Sequence, residues 1–249
     1  MKKTAYTMVV IMVLLIGLTA CTGNTARELP KAEAVLTAKI IKFYESSMLV
    51  VGENAYDLFM VPVETSIYDS KNVLVDRKTL LEGLEIELGY SGAIMESYPM
   101  QLGGLEYIKI VENGDDLVGL YAKVIDDLWK TDEGLNSGVE IMALDLSLTT
   151  NLSESEKQAL AYVVGNTYEL QGMVATYDAL VEQGYVDPDS INFEKGLLFK
   201  LEVKDVKEGQ FTFDASKWRG GNGAYFFMDC IAKKSGDGWT YKVGSEAIS

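Results

Sequence analysis

The chain has 249 residues, 48% of them hydrophobic, with 22 basic against 37 acidic side chains, so it can build a sizeable core and carries a formal charge of −15. A field of that sign repels the phosphates of nucleic acid and of anionic lipid headgroups, which argues against nucleic acid as a partner and leaves cations or basic peptides attracted. There is no histidine, which excludes Ser-His-Asp and Cys-His catalysis, HExxH proteases and most zinc sites, and the sequence points to no metal or cofactor.

At the start of the chain, Lys2 and Lys3 precede an uncharged apolar run from Ala5 to Leu18, closed by Leu18-Thr19-Ala20-Cys21. Positive, apolar, then small is the order of a secretory signal, and the apolar run is short for a stable bilayer span. An ordinary cleaved signal or an N-terminal transmembrane helix are the plainer readings. The last four residues, however, resemble the lipobox of bacterial lipoproteins at every position. That resemblance implies a signal peptide over residues 1–20, cleavage before Cys21, and a diacylglyceryl group on the Cys21 sulfur. The mature protein would then sit at the outer face of the cytoplasmic membrane, touching it only through the lipid. Two acyl chains suffice for stable anchoring where one is marginal. Loss of the two leader lysines takes the charge to −17. With Cys21 occupied, Cys230 has no disulfide partner, and its apolar run from Ala224 to Ala232 predicts a buried, inert thiol.

Residues 21–34, with Gly23, Asn24 and Pro30, read as a polar tether. The next unit, 35–112, holds strand-like runs at Val35–Tyr44, Met48–Val51, Leu58–Val63, Leu84–Tyr90 and Leu105–Val111. In Leu84-Glu85-Ile86-Glu87-Leu88 the apolar residues alternate with glutamates, which predicts one wet face. Pro62 marks an edge strand or bulge. Lys78–Leu84 predicts one helical turn stopped by Gly83. Five short strands with a small helix before the fourth suit an OB-like β-barrel. The unit also resembles a small domain of secreted proteins and lipoproteins of Gram-positive bacteria, through Leu81-Glu82-Gly83-Leu84 and Tyr90-Ser91-Gly92-Ala93-Ile94-Met95-Glu96-Ser97-Tyr98-Pro99-Met100-Gln101. The resemblance implies a fold and no activity. Tyr98-Pro99 reads either as a binding platform or as a packed loop.

The last unit, 113–249, opens with Asp115 and Asp116 in the first turn of a helix whose apolar residues, Leu117, Leu120, Tyr121, Val124, Ile125, Leu128 and Trp129, fall at spacings of three and four. Asp126 and Asp127 read as its solvated face. Val139–Leu146 reads as a strand, Ser153–Glu156 as a capping box opening a helix through Val164, and Thr176 to Gly184 as a short capped helix. Strands at Leu197–Val203, Gln210–Ala215, Ala224–Ala232 and Trp239–Val243 then form a meander in which Trp239, Tyr241 and Val243 share one face. The expected class is therefore α+β overall: an OB-like β domain followed by an α+β domain with helices packed on one face of an antiparallel sheet. This half resembles a C-terminal module of exported or membrane-tethered bacterial proteins, through Leu135-Asn136, Ala143-Leu144-Asp145-Leu146-Ser147, Gln183-Gly184-Tyr185-Val186, Lys217-Trp218-Arg219 with Gly223-Ala224-Tyr225-Phe226, and Trp239-Thr240-Tyr241. That likeness implies a domain without an assigned activity.

The most site-like stretch is Lys217-Trp218-Arg219-Gly220-Gly221-Asn222-Gly223. A glycine-rich loop beside Trp218, Arg219 and Asn222 offers backbone N–H groups and a guanidinium to an anionic ligand, and the same residues also read as a bulged strand connection. Asp187, Asp189, Asn192 and Glu194 offer oxygen ligands, but at no EF-hand spacing, and fit a Pro188 turn as well. Paired carboxylates can cleave glycosidic bonds, yet no two of 37 acids stand out, so no catalytic residue is assigned. The functional expectation is a lipid-anchored extracytoplasmic module that binds an envelope ligand or a protein partner. The alternatives are a carboxylate-dependent, glycan-directed hydrolase and a structural spacer.

Overall fold

Residues 25–236 and 238–249 are described by the structure, a computed structural model; the signal expected over residues 1–20 and the lipid attachment expected at Cys21 lie outside the described residues. Along the first half of the chain run β1 (Ala34–Phe43), β2 (Ser47–Val51), β3 (Leu58–Pro62), β4 (Ser66–Tyr68), β5 (Leu74–Val75), β6 (Glu85–Tyr90), a small hairpin of β7 (Ile94–Met95) with β8 (Gln101–Leu102), and β9 (Leu105–Glu112). Apart from the hairpin they form one sheet in the order β3-β2-β1-β6-β9-β4-β5. Only residues 63–65 separate β3 from β4, which lie five places apart in that order. A flat sheet would part them by about 24 Å, whereas the connecting backbone spans at most about 14 Å. The sheet therefore curls, and β4 runs parallel to β9.

Inside the curl sit Ile40, Met48, Val50, Phe59, Val61, Ile86, Leu88 and Ile108. The alternation predicted for Leu84–Tyr90 is what buries Ile86 and Leu88 and leaves Glu85 and Glu87 partly wet. β2 and β3 are instead apolar on both faces. Alternation turns Ile40 into the curl and Ile41 into a second core with Leu49, Val51 and Leu58, and the register shift between Ile40 and Lys42 brings Phe43 back to the curl side. Glu33 N donates to Tyr90 O and Arg27 N to Asn72 O, so the end of the predicted tether lies along this sheet. The helical turn expected over Lys78–Leu84 is shorter and earlier, a 3₁₀ turn at Arg77–Thr79 capped by Asp76, although Gly83 does take the left-handed conformation at φ +88°. Pro62 ends β3, whose outer edge is met by Met100 of the β7–β8 loop.

The second half comprises α1 (Leu117–Lys130), β10 (Ile141–Leu148), α2 (Glu154–Thr167), β11 (Gln171–Val174), α3 (Tyr177–Glu182), β12 (Gly196–Lys207), β13 (Gln210–Gly220), β14 (Gly223–Ser235), β15 (Gly238–Lys242) and β16 (Ser245–Ile248). The sheet order is β11-β10-β12-β13-β14-β15, with β16 also on β14. Two expectations need correction. The sheet is mixed, because α2 carries the chain back so that β11 runs parallel to β10, and β12 then pairs parallel to β10 as well. The helices also cover both faces. Met142, Leu144 and Leu197 pack with α1 and α2, whereas Ile141, Ala143 and Leu198 pack with Leu180 of α3, Val186 and Phe193.

α1 and α2 lie between the two sheets. Their apolar side chains share one core with Ile41, Leu49, Val51 and Leu58 on one side and with Phe199, Leu201, Phe213 and Phe227 on the other. The architecture is α+β. Two polar links cross the same boundary: Lys39 Nζ lies 2.8 Å from Glu156 Oε1, and Ser155 Oγ donates to Gly52 O at 2.9 Å. The predicted capping box is complete, with Ser153 and Glu156 bonded reciprocally. Asp115 and Asp116 precede α1 rather than occupying its first turn, and Asp116 is its N-cap, accepting from Gly119 N at 2.8 Å.

Candidate functional site

The loop singled out by sequence is the β13–β14 connection, with a register shift after Trp218. Trp218 packs edge-on against Tyr177 of α3, with ring centroids 5.4 Å apart. The Arg219 guanidinium donates to three backbone carbonyls, Leu135 O at 2.6 Å, Ser137 O at 2.7 Å and Glu194 O at 2.8 Å. Arg219 thus ties the end of β13 to the loops at residues 135–137 and 194, and three of its five N–H groups are spent there. Asn222 is exposed at the rim of a shallow depression bounded by Leu135, Asn192 and the glycines 220, 221 and 223. Lys217, beside them in sequence, is fully buried. Its ammonium donates to the carbonyls of Thr131 and Asp132 and to Asn136 Oδ1, closing the C-terminal end of α1, where cations are favoured. Burial pulls its pKa below the ordinary lysine value. Asp187 forms the expected turn, accepting from Asp189 N and Ser190 Oγ. Among the described residues no group of three or more acidic or sulfur ligands is placed to hold a metal.

A larger groove, about 510 Å³, opens where the curled sheet meets the helical layer. Lys42 comes to it from β1, Glu82 from the loop before β6, Asp116 from the N-cap of α1, Asp126 from α1 itself, Tyr168 from the end of α2, and Trp239 from β15. Local sequence explains each placement. Asp116 is there because it caps α1; Asp126 falls on the polar stripe of that helix; Trp239 lies on the inward face of β15 with Tyr241, packing on Phe211 at 5.3 Å. The core of the protein forms the floor, through Ile41, Leu120 and Val164.

Electrostatically the groove is mixed. Glu82 Oε1 accepts from Phe43 N at 3.0 Å. Burial raises the Asp116 carboxyl above the ordinary aspartate value, and nearby Glu82 pushes the same way against the Gly119 N–H. Burial also works to raise Asp126, but hydrogen bonds from Lys130 at 2.6 Å and from the Tyr168 hydroxyl outweigh it and hold that carboxyl below the usual range. Tyr168 is in turn stacked on Trp129 at 4.4 Å. Asp126 and Asp127 are therefore more than a solvated face: Tyr168 donates to the first at 2.5 Å and Tyr241 to the second at 2.6 Å, pinning α1 to α2 and β15. The indole Nε1 of Trp239 is buried and has no hydrogen-bond partner. A buried donor without an acceptor costs about 1–3 kcal/mol, so a native protein that keeps one calls for an explanation.

The sequence had placed Trp239 on a core face and Asp116 at a helix start, and nothing in spacing joined them to Glu82, 34 and 157 residues away along the chain. Comparison of the chain with protein-family models, with curated proteins and with solved structures gives no match.

Proposed function

We propose that this protein is a lipid-anchored extracytoplasmic binding module of the cell envelope, held at the membrane by a diacylglyceryl group on Cys21 and binding its ligand in the groove between the curled sheet and the helical layer. The observation that carries the binding reading is a groove of about 510 Å³ with an apolar floor at Ile41, Leu120 and Val164 and with Lys42, Glu82 and Asp116 on its walls. Small-molecule sites are concave, largely preformed, and combine an apolar floor with a few polar groups. The groove carboxylates are each engaged by protein donors, Phe43 N on Glu82, Gly119 N on Asp116, and Lys130 with Tyr168 on Asp126, which favours holding a ligand over acid–base work on one.

The anchoring reading rests on the order of Lys2-Lys3, the apolar run and Leu18-Thr19-Ala20-Cys21. For the first half of the chain, the pairing of β1 with β2 and β6, of β6 with β9, and of β4 with β9 in parallel supports an OB-like barrel, and with it a division near residue 112. The core shared with α1 and α2 makes the two units act as one body in that reading. The test has two arms. Cells expressing the full chain and fed radiolabelled palmitate incorporate label into wild type and not into Cys21→Ser; an unlabelled wild type refutes anchoring. Solubilised envelope components added to the detergent-held full chain change its tryptophan fluorescence saturably, and Trp239→Phe blunts the change. A response of the same size in Trp239→Phe refutes the groove.

A further inference from the structure

We infer that residues 27–33 form a releasable strap that covers two tyrosines on the curled sheet and, by opening, lengthens the tether of the anchored protein. The strap stands on the fold alone; its effect on reach rests on the anchoring reading of Cys21. Arg27 N donates to Asn72 O in the β4–β5 turn at 2.8 Å, and Glu33 N donates to Tyr90 O at the end of β6 at 3.0 Å. β9 and β4 lie between those two points in the sheet. Six residues reach at most about 20 Å, so the segment crosses them on a nearly straight path. Ile67 and Ile108 fill the inner face there, which leaves the outer face for the crossing.

Alternation puts Tyr68 and Tyr107 on that outer face, since each adjoins an inward isoleucine. Tyr107 lies over Gly89, where any side chain would collide with its ring, and Tyr68 meets it edge-on with centroids 6.4 Å apart. Rings on a bare outer face are wet, yet Tyr68 is 6% and Tyr107 5% exposed, and neither belongs to a hydrophobic core cluster. Val35, opposite Gly89 on the same face, is 55% exposed, so the cover is local. Leu29, Pro30 and Ala32 supply it: they are half-buried, whereas Arg27, Glu28, Lys31 and Glu33 are exposed. The hold is light. Two backbone hydrogen bonds tie the segment to the sheet among the described residues, against the entropy of ordering it, and segments held in this way open before the body unfolds. Closed, the six residues from Cys21 to Arg27 let the body stand at most about 20 Å from the lipid; open, the thirteen to Ala34 allow about 45 Å.

The test compares wild type with Leu29→Asp, a change in the strap that lies outside both sheets and leaves the body to fold. Spin labels go on Glu28→Cys and Ser70→Cys, both exposed, in the full chain carrying Cys21→Ser, so that this arm does not need the anchor; Cys230 is fully buried and stays unlabelled. The expected result is a narrow, short distance between the labels that Leu29→Asp converts to a broad, longer one. A broad distribution without Leu29→Asp, or one that Leu29→Asp leaves unchanged, overturns the strap. Nitration by tetranitromethane, mapped by mass spectrometry, reaches Tyr107 several-fold faster in Leu29→Asp; equal rates overturn the strap as its cover. For reach, full chains with Cys21 intact and a dye on Ser70→Cys are reconstituted into phosphatidylcholine vesicles that carry an acceptor lipid. Leu29→Asp lowers energy transfer to the membrane, and equal transfer in both overturns the control of reach. No transfer in either refutes the anchoring of Cys21 and, with it, the effect on reach, while the distances between the spin labels still decide the strap.

Discussion

Replacing Lys39 by Met removes the cation that compensates Glu156 at the boundary between the curled sheet and α2. The Glu156 side chain is only 8% exposed; one oxygen accepts from Lys39 Nζ at 2.8 Å and the other from Ser153 N at 2.8 Å. Deleting one partner of a buried ion pair costs about 3–5 kcal/mol, because the remaining charge stays buried. Lys39 is 24% exposed, so water reaches the pair and the cost falls to about 2–3 kcal/mol. For a chain of this size that lowers Tm by roughly 5–10 °C. Lys39→Met/Glu156→Gln recovers about half of the loss, since Gln removes the charge and still accepts from Ser153 N as the capping box requires. Urea unfolding of the four proteins measures the coupling directly. A Lys39→Met cost under about 0.5 kcal/mol, or losses that simply add, would refute the argument that this pair joins the two layers.

Three further outcomes follow from the same packing. Gly172→Ala destabilises by about 3 kcal/mol or more by chemical denaturation, because its Cβ would lie 1.9 Å from the Ala161 carbonyl oxygen of α2, and helix backbone cannot give way cheaply; a neutral result would mean that β11 and α2 do not touch there. Lys217→Met keeps the stem but strips the carbonyls of Trp129 and of the C-cap Thr131, at the end of α1, of their buried donor, and costs roughly 2–4 kcal/mol, with loss of helical circular dichroism if the end of α1 frays. Burial raises the Tyr121 hydroxyl well above the ordinary tyrosine value, and Tyr168 and Tyr241 shift the same way. Their stabilising effect is complete below pH 10, where the unfolded tyrosine ionises, and is lost on rising above it, at about 1.4 kcal/mol per pH unit for Tyr121. Unfolding free energies from urea titrations between pH 9 and 11 should fall at least that steeply, and less steeply in Tyr121→Phe; a flat profile would refute it.

The elements that could be read from sequence are those whose signal is local. Leu84–Tyr90 alternates because one face of β6 is wet, α1 repeats at three and four because one stripe is buried, and the Ser153–Glu156 box and Gly184 stop are chemistry of adjacent residues. β11 escaped because Gln171-Gly172-Met173-Val174 has neither alternation nor β-branched runs; its glycine is set by the close approach of α2, which is a tertiary fact. The mixed sheet followed from that omission, since without β11 the return of the chain beside β10 was invisible. Met48 to Val51 are apolar on both faces for a reason no single strand reveals: one face fills the curl and the other meets α1 and α2.

By itself the sequence determined the acidity, the lack of histidine chemistry, the local strands and caps, and the positive-then-apolar order of its first residues. Only the tertiary structure decided that Arg219 and Lys217 are spent on loop and helix carbonyls, and that Glu82, Asp116 and Trp239 border one groove. The physical reason is range. Propensity, capping and alternation act within a few residues, whereas a groove is made wherever packing brings distant side chains together, here Glu82, Asp116 and Trp239.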